Sequence, residues 1–128
     1  CSPIASDILL AQGRDDGKGT PAEWNVPLKT IAEGTSIAQP LRLEQCRDAV
    51  LRSGGSAVRL SEEQIAEATI ELADIGLYVE PTCAQAAAAF RELIADGRIS
   101  DDQVTIVVLT STGIKSTPSI AAHLGVEL

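Results

Sequence analysis

The chain has 128 residues, with 10 Lys+Arg against 18 Asp+Glu and a formal net charge of −8. That length allows one domain or part of a larger one, and a hydrophobic content of 45% supplies a core, which excludes wholesale disorder. The acidic balance argues against a nucleic-acid partner, which needs a basic face, and no apolar run reaches the roughly 18 residues that would span a membrane.

Ser2-Pro3 can cap a first helix, with Ile4, Asp7, Ile8 and Ala11 at helical spacing and Gly13 as its stop. Residues 13–22 are rich in Gly and charge but match neither GxGxxG nor P-loop spacing, so they read as a surface loop. Residues 26–40 carry little charge, two prolines and several small side chains; they read as a buried connecting segment, either lining a site or simply packed. Leu43, Cys46 and Val50 mark a helix that ends at Ser53-Gly54-Gly55, and residues 56–60 read as a short strand. Ser61-Glu62-Glu63-Gln64 is a capping box, opening a helix with Ile65, Ala68, Thr69, Leu72 and Ala73 on one face and Gly76 as its stop.

After a brief extended piece at 77–79, Thr82 can cap an Ala-rich helix whose inner face is Cys83, Ala86, Ala87, Phe90, Leu93 and Ile94, ending at Gly97. Residues 104–109 (VTIVVL) are a β-branched run that fits a strand buried on both faces, as in a parallel sheet. Thr117-Pro118 then caps a last short helix to about Leu124. The class is α/β: a partial parallel sheet with flanking helices, forming one incomplete unit over residues 1–128. Two strands leave both sheet edges open, so neighbouring strands are expected from sequence elsewhere or from another chain.

Cys1, Cys46 and Cys83 form no CxxC or Cys/His cluster, so no metal site is expected. No basic stretch followed by an apolar segment opens the chain, so no signal peptide is expected, and three thiols fit a reduced, cytoplasmic setting. Cys46 and Cys83 read as small apolar fillers on helix faces. A nucleophile paired with His123 is open by count, but that residue's place near the C-terminal end argues against it. The chain contains no Met and begins at Cys1, which fits a processed start or a piece of a longer protein.

Ligands of open α/β sheets collect beyond the carboxyl ends of the strands. Here that position holds Thr110-Ser111-Thr112-Gly113-Ile114-Lys115, which supplies hydroxyls, a glycine and an amine, or else is an ordinary turn before a helix. Glu80, at the entry to the Ala-rich helix, is either a site carboxylate or one favoured by the helix N-terminus.

Glu80-Pro81-Thr82-Cys83-Ala84 resembles the Glu-Pro-Ala/Ser-Ser-Ala segment of fold-type II (tryptophan synthase beta-like) pyridoxal-phosphate enzymes. Residues 107–115 resemble that family's Leu-Thr/Ser-Gly-x-Gly-x-Lys segment, with Ser111 where the family usually has Gly. Cys1-Ser2-Pro3-Ile4, Lys29-Thr30-Ile31-Ala32-Glu33-Gly34, Ser53-Gly54-Gly55 and Ser61-Glu62-Glu63-Gln64-Ile65 follow at family spacing, and the chain is most similar to the threonine synthase group.

The resemblance implies that the Thr110 hydroxyl meets the pyridine nitrogen of pyridoxal 5'-phosphate. It implies that Glu80 lies near the ring, and that residues 30–34, with Ala32, pass the ring and a small amino-acid substrate. The family's Schiff-base Lys and phosphate-cradling Gly-rich loop have no match here: Lys18, Lys29 and Lys115 stand in other contexts. No catalytic residue is therefore assigned. The resemblance implies the C-terminal part of a larger lyase that converts O-phosphohomoserine to threonine and phosphate. On this reading the chain is inactive alone, is completed by a missing N-terminal half or another chain, and belongs to a homo-oligomer. A threonine/serine dehydratase fragment and a non-catalytic interaction module that keeps the half-fold are the alternatives.

Overall fold

The computed structural model describes residues 30–37 and 40–127. The expected first helix, the 13–22 loop, residues 26–29 and 38–39 of the 26–40 segment, and Cys1, Lys18 and Lys29 lie outside the described residues. The chain divides into two compact units, one of Cys1–Lys29 with Thr35–Arg59 and one of Thr30–Gly34 with Leu60–Leu128.

In the first unit the described helix is α1 (Leu43–Arg52). It ends as the Ser53-Gly54-Gly55 signal predicts: Gly54 takes φ +69°, its N–H bonds the Leu51 carbonyl, and the Gly55 N–H reaches back to Val50. Cys46 is exposed on α1, so the expectation that it fills an apolar face is corrected. The helix buries no residue, and its face toward the unit is made by half-buried Leu43, Arg47 and Val50.

The second unit is built on α2 (Glu62–Asp74) and α3 (Pro81–Ala95), which pack against each other. The capping box is complete: the Gln64 N–H donates to Ser61 Oγ at 3.2 Å and the Ser61 N–H to Gln64 Oε1 at 2.8 Å. Bonding to its own backbone N–H and to the Ser61 hydroxyl holds the Glu63 carboxyl below its ordinary range. Its contribution to stability is thus present at neutral pH and lost as the pH falls. At the other end Gly76 (φ +88°) bonds Ala73 and Leu77 bonds Leu72, a Schellman motif that only a residue tolerant of positive φ closes without strain.

Ile65, Ala66, Ala68 and Thr69 form the buried face of α2, while Ala73 is exposed. On α3 the buried residues are Pro81, Cys83, Ala84 and Ala88, so the inner face is rotated from the predicted one and Ile94 is exposed. The α3 start also moves. Glu80 is the N-cap and Pro81 sits at the first helical position, where its missing N–H costs nothing; Thr82 is therefore inside the helix and is not the cap.

The core of this unit is Ala68, Val79, Cys83, Ala84 and Ala88, with Leu60, Leu72 and Leu109 packed against it. Small residues let the two helices approach closely. Gln64 Nε2 donates to Glu92 Oε1 at 2.6 Å, and Arg91 forks onto both Glu71 oxygens at 2.6 Å, tying α2 to α3 from the surface. After a single 3₁₀ turn (Gly113–Ser116), α4 (Thr117–Leu124) has Ser116 as N-cap. Thr117, the predicted cap, is therefore inside this helix, one residue on from the observed cap, and donates back to the Ile114 carbonyl at 2.8 Å.

The expected partial parallel sheet is not formed among the described residues. Residues 56–60 and 104–109 have no ladder partner, and the described β-pairing is an isolated antiparallel bridge, Val79 with Thr112. The strand at 104–109 is also not buried on both faces. Val107 and Leu109 turn inward, while Val104, Ile106 and Val108 are 98%, 84% and 64% exposed. The period-2 alternation is that of a strand, but a β-branched run encodes only the tendency to extend; a ladder needs a neighbouring backbone. No helix among the described residues is long and apolar enough to cross a membrane.

Replacing Ser61 with Ala removes the acceptor for the Gln64 N–H and the hydroxyl beside Glu63. We expect a loss of about 1 kcal/mol of stability at neutral pH, read from urea midpoints, with the gap narrowing as the pH falls below the carboxylate range.

Candidate cofactor site

Three segments far apart in sequence meet at the N-terminal end of α3. The first is residues 30–34. Ala32 is fully buried, its N–H bonded to Thr30 Oγ1 at 3.1 Å, and the Ile31 N–H donates to Glu62 Oε2 at 2.9 Å. The Gly34 N–H donates to Thr82 Oγ1 at 3.1 Å, and a Cβ on Gly34 would stand 2.9 Å from that side chain. The second segment is the α3 start, Glu80 to Cys83. The third is Thr110 to Lys115.

Main-chain pairing fixes the second segment to the third. The Gly113 N–H donates to the Tyr78 carbonyl at 3.0 Å, and the Glu80 N–H to the Ser111 carbonyl at 3.4 Å. Gly113 is buried, and a Cβ there would lie 2.9 Å from the Val79 carbonyl oxygen and 3.1 Å from the Tyr78 ring. A glycine therefore allows the two backbones to touch. Beside this contact the Tyr78 hydroxyl meets Thr117 Oγ1 at 2.8 Å.

The pairing brings Thr110 and Glu80 around Cys83. The Cys83 thiol, 3% exposed, lies 3.1 Å from Thr110 Oγ1, accepts the Ser111 N–H at 3.0 Å, and is 3.9 Å from Glu80 Oε1. Thr110 itself is an exposed residue, and its hydroxyl touches the buried thiol. Glu80 makes no capping bond to α3 with its side chain; its Oε2 pairs instead with Lys115 Nζ at 3.0 Å. Glu80 thus stands at the helix N-terminus, which favours a carboxylate without any capping bond, and at the same time beside Cys83 and Lys115.

Sequence reasoning placed Thr110, Glu80 and Ala32 in segments that the fold does bring to one end of the unit. It missed Cys83, because thiols are usually apolar fillers and only the tertiary contacts disclose two polar neighbours within 3.1 Å. His123 lines a shallow, open, apolar cleft together with Ile31, Ala66 and Pro81, away from Thr110 and Cys83 in the contacts described. The contacts of Cys83 are those named above, and no metal-binding group occurs among the described residues.

A threonine hydroxyl beside a buried thiol, a small buried residue in a neighbouring segment and a carboxylate paired with a lysine are groups that could hold the polar edge of an aromatic heterocycle. Residues 4–111 match the family described as pyridoxal-phosphate dependent enzymes, and the chain belongs to that family. Among curated proteins it is 34% identical over 88 residues to a threonine synthase of Methanocaldococcus jannaschii, covering 68% of this chain and 22% of that protein. It is 29% identical over 93 residues to a threonine synthase of Methanosarcina acetivorans, covering 72% and 23%. A chloroplastic threonine synthase of Arabidopsis thaliana is 30% identical over 96 residues, covering 73% and 19%. The chain thus spans about a fifth of the length of the curated relatives it matches. No solved structure matches it.

Gly113→Ala forces a methyl against main chain that cannot swing away, so it should destabilise the unit by about 1–3 kcal/mol. Lys115→Ala, which breaks an ion pair whose lysine is 69% exposed, should cost less than about 1 kcal/mol. Thermal melts of the two variants should rank them in that order.

Proposed function

We propose that this chain is the C-terminal part of a threonine synthase-like lyase acting on O-phosphohomoserine, an incomplete α/β unit completed by the rest of that protein or by another chain. The reading is supported by the meeting of residues 30–34, 80–83 and 110–115 at one end of α3 in a chain of this family. A homo-oligomer in the cytoplasm is part of the same reading; the free thiols of Cys46 and Cys83 support a reducing setting.

In this role the Thr110 hydroxyl donates to the ring nitrogen of pyridoxal phosphate. Glu80 stands at the base of the ring, its charge compensated by Lys115, and Ala32 offers a small surface to the ring and the substrate. When bound, the cofactor supplies the electron sink for bond cleavage next to the substrate's amino carbon. A neutral hydroxyl at the ring nitrogen leaves that nitrogen unprotonated and moderates the sink, where a carboxylate would hold its proton. The phosphate cradle and the amine that bonds the cofactor lie outside these three segments.

Two measurements test this. Full-length protein given O-phosphohomoserine and pyridoxal phosphate should release phosphate and threonine in equal amounts; 2-oxobutyrate from threonine would instead assign a dehydratase. The 128-residue chain alone, mixed with pyridoxal phosphate and reduced with borohydride, should give no stoichiometric adduct on Lys18, Lys29 or Lys115 by peptide mapping.

In the full-length protein, Thr110→Val keeps β-branching but deletes the outward hydroxyl. Cofactor binding should weaken by about 1–3 kcal/mol while the melting temperature of the apo form barely moves. Parent-like retention would make Thr110 only a turn residue.

A further inference from the structure

We propose that Cys83 is a positioning residue: its buried S–H donates to Thr110 Oγ1 and so turns the threonine's own O–H outward, making Thr110 a donor to the ring nitrogen. The inference rests on the reading of Thr110 above and goes beyond it, because it names the group that sets the direction of the hydroxyl.

The geometry carries the direction. A thiol has one hydrogen to give, and its sulfur accepts weakly. Here the sulfur already accepts the Ser111 N–H at 3.0 Å. The remaining S–H has two oxygens to choose between: Thr110 Oγ1 at 3.1 Å and Glu80 Oε1 at 3.9 Å. The nearer is the threonine hydroxyl. Once that oxygen accepts from the thiol, its hydrogen is free to point away from the core, toward the exposed side of Thr110.

The opposite orientation, with Thr110 O–H donating to sulfur, would load the sulfur with two donors and leave the S–H only the distant carboxylate. It would also present lone pairs outward, which suits a protonated ring nitrogen and not a neutral one. Glu80 Oε1 is the more distant acceptor at 3.9 Å, and the carboxylate's other oxygen is taken by Lys115 Nζ at 3.0 Å. The thiol is 3% exposed, so water does not compete for its hydrogen.

The test compares Cys83→Ala and Cys83→Ser with Thr110→Val in the full-length protein. Three quantities are read: the dissociation constant of pyridoxal phosphate, the nitrogen-15 shift of ring-labelled bound cofactor, and the melting temperature of the apo form. Cys83→Ala should weaken binding roughly 3- to 10-fold and shift the nitrogen resonance, with little change in apo melting. Cys83→Ser restores a donor at the same position and should recover most of both. In the apo protein, the infrared S–H band of Cys83 should move toward the free-thiol position in Thr110→Val.

Parent-like binding and resonance in Cys83→Ala would overturn the proposal. So would a loss that tracks apo melting and is not recovered by serine, which would mark Cys83 as packing only, or an unmoved S–H band. If Thr110→Val weakens binding and Cys83→Ala does not, the positioning role alone fails. If Thr110→Val also binds like the parent, or the parent takes up no cofactor, the underlying reading fails and this inference with it.

Discussion

The second unit depends on a contact between two stretches of main chain. Tyr78 to Glu80 lies against Ser111 to Gly113, and the two hydrogen bonds that join them need the backbones to touch at Gly113. A side chain there would meet the Val79 carbonyl oxygen, so the pairing exists because residue 113 has none. Everything at the α3 start follows from it. Glu80 leaves the pairing directly into the helix, Pro81 turns the chain, and Cys83 arrives under Thr110. The 104–109 run is drawn in from the same end, with Leu109 reaching the core and Val108 outside it.

The core beneath that contact is unusual in what it lacks. Among the described residues no large side chain is completely buried, and the buried set is dominated by alanine, while Val104, Ile106, Ile75 and Ile114 lie mostly in the open. Alanine buries little area and so contributes little hydrophobic free energy, but it permits close helix approach. Tight geometry and modest burial therefore coexist here. The hydrogen-bonded cross-ties from Gln64 to Glu92 and from Arg91 to Glu71 hold α2 to α3 where side-chain bulk does not.

The parts legible in the sequence were those encoded within a few residues. The capping box at Ser61, the stops at Gly54 and Gly76, and the last helix from the Thr117-Pro118 signal depend on local chemistry, and the structure has them in place or one residue away. The features read wrongly depend on distant partners. A strand at 104–109 needs a neighbouring backbone to become part of a sheet, which no pattern of valines supplies. Thr82 looks like a cap because its hydroxyl is a good acceptor; the helix starts two residues earlier, at Pro81, and leaves that hydroxyl for Gly34, 48 residues away in sequence. Cys83 looked like filler because its three polar neighbours are contributed by Glu80, Thr110 and Ser111, two of them from beyond the helix.

The electrostatics of the α3 start bear on why a threonine and a glutamate can stand so close in the proposed role. Glu80 is 14% exposed, and a carboxylate at that burial beside a heterocyclic nitrogen would favour the protonated ring. Two features spend its charge elsewhere. Lys115 takes one oxygen, and the N-terminal end of α3, whose first N–H groups from Cys83 and Ala84 point at the Glu80 carbonyl, adds a partial positive charge on the same side. On the proposed reading, the neutral dipole of Thr110 is then the group offered to the ring. The lysine at the end of one segment thus meets a carboxylate at the helix start of another, and the Gly113 contact is what brings them within reach.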